Sequence, residues 1–263
     1  MVDVRKAPRK GIGTCVYCGR TRKLTKDHLF PQALFITLDK EMVTVPACHQ
    51  CQRRKEVGDR ELEIYVTLDI LGSGHADVVM HLKKIADRNE GTKHRLDRMI
   101  NGADYAALTT EDGFQLAEGL VAEFDTEPVL QMLRMVARGL YWYSTGEILP
   151  PDVHTHAQRI PWNIGGELLR RLSAHRSGNP TVKGNLVVWW TDLRIQMNTP
   201  HDRLWVVCFN DAVVFLLATA DWALNLDRIR DKLDSLPPKD EGKARFSADS
   251  GLINHIEAIL PPK

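Results

Sequence analysis

Four of the five cysteines form two Cys-x-x-Cys pairs, Cys15–Cys18 and Cys48–Cys51, and the dipeptide Asp27-His28 lies between them. Each pair lets two sulfurs reach one ion from a tight turn. Two pairs together complete a tetrahedral thiolate set of the kind that holds Zn²⁺. With four sulfurs bound, zinc has no open position for water, so this site is structural. The 29 residues between Cys18 and Cys48 are enough for a small unit closed by the metal. Asp27 and His28 are of a different kind. A carboxylate next to an imidazole suits cation binding and proton transfer near neutral pH. A purely structural knuckle needs neither.

The rest of the chain sets the context. It has 263 residues, of which 43% are apolar and 26% charged, ordinary values for a folded protein. No run of about 18 apolar residues occurs, so no transmembrane helix is expected. The basic N-terminus lacks an apolar stretch after it and does not read as a signal peptide. Cysteines used in metal-ligand spacing fit a reducing compartment, so a cytoplasmic location is expected. Cys208 lies in an apolar stretch and reads as a buried strand residue.

The net charge of +1 hides an asymmetry. Residues 1–60 hold 13 Lys/Arg against 6 Asp/Glu, and the remainder holds 22 against 28. A basic segment that also carries the metal motif points to a polyanionic partner, DNA in this reading.

The stretches Cys15-x-x-Cys18, Lys26-Asp-His-Leu-Phe-Pro31 and Val45-Pro-Ala-Cys-His-Gln-Cys-Gln-Arg-Arg-Lys55 resemble the HNH endonucleases, over residues 13–60. The resemblance is to members whose ββα-metal fold is braced by a four-cysteine zinc. It implies that His28 is the general base that activates water. It implies that Asp27 binds a catalytic divalent cation, Mg²⁺ or Mn²⁺. The second ligand in the family follows the last cysteine, which places Gln52 in that role. Gln52 lies 24 positions after His28, close to the family separation. The family's central Asn, which orients the base, falls near Val43. Glu56 lies one helical turn beyond Gln52 and is a further candidate ligand. Lys26, Arg53, Arg54 and Lys55 are candidate phosphate contacts. The implied activity is a metal-dependent DNA endonuclease or nickase, of the sort that serves restriction, antiviral defence or mobile elements. Val43 and Gln52 depart from the family pattern and support an alternative, a catalytically degenerate zinc-containing DNA-binding protein.

The elements that must position these residues follow from pattern. Residues 1–12 read as a basic arm, 13–72 as the zinc-braced module and 73–263 as a larger region. That region serves target selection, a protein partner or self-association. Short strands and loops are expected over 14–47, and a helix from about His49 to Leu71, with Gly58 kinking or ending its first part. Further helix is expected over 75–101. Another opens at Thr126-Glu-Pro128, with Thr126 as cap, and runs to about Tyr143. Short helices are expected at Glu167–His175, Asp221–Leu236 and Glu257–Leu260. Leu186–Trp190, Leu193–Met197, Leu204–Phe209 and Val213–Ala218 read as an antiparallel meander, with Asn210-Asp211 as a hairpin turn. His154-Thr-His156 reads as a loop. The fold class is α+β.

Overall fold

A computed structural model describes residues 11–34, 42–71, 94, 104–109, 115–121, 125–160, 181–183, 187–190, 201–209 and 213–220. The expected segments at 75–101 (apart from His94), 167–175, 193–197, 221–236 and 257–260 lie outside these residues, as do residues 1–10 of the arm. The fold class is α+β.

Strands β1 (Gly11–Thr14), β2 (Thr21–His28) and β3 (Thr44–Cys48) form an antiparallel sheet in the order β1-β2-β3. Gly11 and Ile12 thus belong to β1 rather than to the basic arm. Pro46 sits inside β3 because β3 is an edge strand, where a missing N–H is tolerated. Its carbonyl still accepts the Val16 N–H at 3.0 Å. Helix α1 (His49–Leu71) follows β3 directly, so the unit reads strand, strand, strand, helix.

Helix α2 (Glu127–Thr145) matches its expected span closely. Its start differs in detail. Thr126 makes no side-chain cap, and the Asp125 carboxylate accepts the Glu127 N–H at 3.0 Å instead. One residue earlier in the chain, Asp125 reaches the same orphan donor. At the other end Gly146 adopts φ +79° and donates its N–H to the Trp142 carbonyl at 2.8 Å. That left-handed turn ends the helix.

α2 lies on α1, and Gly58 explains how closely. The helix continues through Gly58, because that glycine marks a contact rather than a kink. A Cβ there would run into the Met132 side chain and the Pro128 carbonyl. Gly139 plays the same part toward Leu29.

Two strands missing from the sequence reading, β4 (Asp104–Thr109) and β5 (Gln115–Val121), pair as a hairpin. The last sheet is antiparallel. It contains β6 (His154–Arg159), β7 (Thr181–Lys183), β8 (Val187–Trp190), β9 (Arg203–Phe209) and β10 (Val213–Ala220), in the order β6-β10-β9-β8-β7. Three of the four expected meander strands are β8, β9 and β10, β7 was not expected, and the β9–β10 register brackets the expected hairpin turn. The residues His154-Thr-His156, expected as loop, form the start of edge strand β6, paired to Ala218–Ala220. Every residue from Leu204 to Phe209 and from Val213 to Ala218 is buried, so both faces of these strands are covered. Cys208 and Trp205 are core residues, as expected.

One apolar core runs from Cys15 to Leu217. Phe30, in the loop after β2, meets Phe209 edge-on at 5.9 Å between centroids. Phe209 meets Phe215 at 6.1 Å, and Phe215 meets Tyr65 of α1 at 6.3 Å. The residues expected to form the zinc-braced module therefore share their hydrophobic interior with α2 and the five-stranded sheet.

Candidate metal centre and the adjoining Asp27-His28 site

The thiolate set is built by two backbone turns. Between Cys15 and Cys18 the chain reverses tightly. The Gly19 N–H donates to the Cys15 carbonyl at 2.9 Å, and the Cys15 N–H donates to the Arg20 carbonyl at 3.0 Å. Gly19 holds φ +68°, a conformation that glycine adopts without strain. The second pair sits at the junction of β3 and α1, so Cys51 comes from the first turn of the helix. The four Sγ atoms lie within 4.8 Å of one another. That spacing suits a tetrahedral ion with Zn–S bonds of about 2.3 Å. Cys15 and Cys48 are buried, and Cys18 and Cys51 are half-buried. Among the described residues this is the one cluster of three or more His, Cys, Asp or Glu ligands.

The thiols share protons unequally. The hydrogen bond from Cys51 lowers the Cys15 pKa to about 4, and the Cys48 N–H also donates to its sulfur at 3.3 Å. Cys51 is pushed up, first by that bond to Cys15 and then by burial. Cys18 is also raised, chiefly by burial. Metal coordination requires the ligating thiols to lose their protons.

Asp27 and His28 end β2, the middle strand of the sheet. Asp27 accepts a hydrogen bond on Oδ2 from the Tyr17 hydroxyl at 2.7 Å. Burial raises its pKa, against the opposing pull of the Lys55 ammonium and the Tyr17 bond. His28 is half-buried, and burial lowers its pKa. Its Nε2 lies 2.7 Å from the Gln32 side-chain nitrogen. Its Nδ1 is buried and has no hydrogen-bond partner. Val43 packs nearby in the core, and its carbonyl accepts the Leu29 N–H at 2.9 Å. It is not a partner for the imidazole.

Gln52 stands in the first turns of α1 and reaches back to β2. Its amide nitrogen donates to Thr25 Oγ1 at 2.7 Å and to the Lys26 carbonyl at 3.2 Å. A carbonyl can only accept, so the second bond fixes which end of the amide is nitrogen. Thr25 and Asp27 alternate onto the same face of β2, and Gln52 is anchored beside them. By chemistry, a carboxylate and an amide carbonyl are both hard oxygen donors. Mg²⁺ is commonly held by one or two protein oxygens, with waters and phosphate completing its shell, and these residues fit that pattern. Glu56 is exposed on the next turn, near enough for its charge to raise the Asp27 pKa.

The expected basic contacts divide. Lys26, Arg53 and Arg54 are exposed. Lys55 is not a surface contact, which corrects its expected role. Its side chain is 1% exposed, and Nζ lies 2.8 Å from both carboxylate oxygens of Asp59. Residue 55 follows the exposed pair round the helix onto the face that turns inward. Burial lifts the Asp59 pKa to about 6, against the pull of Lys55.

Four site residues escaped the sequence reading. Asp59 was marked by its i,i+4 spacing from Lys55, the usual helical ion-pair separation. Tyr17 is one of the two residues between Cys15 and Cys18, and no spacing marks it. Gln32 follows Pro31 in a stretch with no periodicity. Thr25 is one of several polar residues on an exposed strand.

Comparison with protein families, with curated proteins and with solved structures returns no match.

Proposed function

We propose that this chain is a metal-dependent phosphodiester hydrolase that cuts or nicks DNA, in the manner of the HNH endonucleases. The observation that carries the reading is the placement of Asp27-His28. The pair closes the strand between the two cysteine turns, and the Gln52 amide is tied to the same strand. A divalent cation bound there would neutralise a phosphate oxygen and stabilise the leaving oxygen. Asp27 and Gln52 would hold it. His28 would take the proton from water through Nε2, since Nδ1 is enclosed, and the Gln32 amide that meets Nε2 at 2.7 Å would move aside to admit the water. Arg53, Arg54 and Lys26 would lie along the DNA backbone, and the tetrathiolate zinc would be a brace.

The test is plasmid cleavage by the full-length protein with Mg²⁺ or Mn²⁺, beside His28→Ala. Loss of a general base costs roughly 10²- to 10⁴-fold in rate. Equal background cutting by both proteins would sink the proposal.

A second reading has its own observation. His28 Nδ1 is orphaned where an orienting partner would stand, and Val43 cannot supply one. A zinc-braced DNA-binding protein without cleavage follows from that. It predicts salt-sensitive DNA binding that survives His28→Ala, with no cutting under any metal.

A further inference from the structure

Resting on the nuclease reading above, we infer that Tyr17 is a positioning residue. It ties the cation-binding carboxylate of Asp27 to the zinc brace. Tyr17 lies between Cys15 and Cys18, so its backbone is part of the turn that the metal closes. The turn is further held by the Val16 N–H on the Pro46 carbonyl. The Tyr17 ring is 5% exposed and packs near Gly139 of α2. Nothing in that environment lets the ring swing out without opening the core.

The hydroxyl meets one oxygen of Asp27. It donates to Oδ2 at 2.7 Å, which restrains the carboxylate. The bond pre-orients the carboxylate for a cation. Partners of metal ligands contribute in this way elsewhere, typically 10- to 100-fold in metal affinity. Zinc binding and binding of the second cation are thus coupled through one side chain, and coupling of this kind is reciprocal.

The experiment is titration of the zinc-loaded full-length protein with Mn²⁺, read by the electron paramagnetic resonance of free Mn²⁺. Wild type, Tyr17→Phe and Asp27→Asn are compared at equal zinc content. The expected result is one Mn²⁺ site in wild type, lost in Asp27→Asn and weakened about tenfold in Tyr17→Phe. Unchanged Mn²⁺ affinity in Tyr17→Phe overturns the inference and leaves the nuclease reading standing. No Asp27-dependent Mn²⁺ site in wild type overturns both. A second measurement needs no variant. In protein labelled with ¹³C at tyrosine Cζ, the Tyr17 resonance should shift on addition of diamagnetic Mg²⁺. A resonance that stays in place as Mg²⁺ saturates Asp27 overturns the coupling, whatever the fate of Tyr17→Phe.

Discussion

The corner around Cys15, Cys18, Cys48 and Cys51 and the sheet of β6 to β10 are stabilised by opposite means. The sheet is held by burial. Every described side chain from Leu204 to Phe209 is apolar and enclosed, and Phe209 and Phe215 stack edge-on across it. The corner holds sulfur, a partly buried Tyr–Asp bond and a partly buried Lys–Asp pair. Groups of that kind cost free energy to bury unless each is partnered. The corner therefore rests on partnered polar groups and on a thiol cluster that could hold a metal ion, whereas the sheet rests on volume. The two are still joined, because Phe30 and Tyr65 extend the corner into the aromatic row of the sheet.

The strongest way to break the contrast is to remove the ion. Chelation, or Cys48→Ser, should forfeit a binding free energy on the order of 10 kcal/mol and unfold the corner. Circular dichroism and a thermal melt with and without chelator would check it. Because the core is continuous, the melt of the whole chain should fall as well. A sheet transition that does not move would mean that the two regions are separate folding units.

The reverse perturbation comes next. Phe215→Ala should cost about 3–5 kcal/mol, measured by denaturant unfolding, since it leaves a cavity between Phe209 and Tyr65. Zinc stoichiometry in the folded variant should remain one, because no thiolate touches that site.

The smallest effect sharpens the contrast through pH. Asp59 titrates at about 6 when folded, above the ordinary 3.8. A raised carboxyl pKa means that the folded state binds the proton more tightly. Its contribution to stability is full below pH 4 and is lost as the pH rises to 6. The stability difference between wild type and Asp59→Asn should therefore fall by about 2 kcal/mol across that window. Denaturant midpoints at several pH values would read it. A flat difference would show that Lys55 already compensates Asp59 fully.

Much of this organisation was legible in the chain itself. The four ligands and their pairing are local spacings, and the structure brings all four sulfurs together. The spans of α1 and α2 and the order of the meander follow from periodicity, which local backbone geometry imposes. The hairpin of β4 and β5 and the strand His154–Arg159 were not legible. Their residues carry weak β preference, and β6 exists only because β10 offers it an edge. The cap at Asp125 shifted by one residue, a distance that pattern does not resolve.

What the sequence determined by itself is the inventory and its local geometry. It contains a tetrathiol set, an acid beside a histidine, a basic stretch and two helices, of which α2 is amphipathic. Those features need only neighbours a few residues away. Tertiary structure alone decided what each group meets. It turned Lys55 inward onto Asp59, brought Gln52 back to the Lys26 carbonyl, and made Gly58 and Gly139 the points where α2 comes closest. It also set the Tyr17 hydroxyl on Asp27. The physical reason is common to all of them. Burial and hydrogen-bond partners are fixed by residues brought together from far apart in the chain, and no local period encodes that meeting.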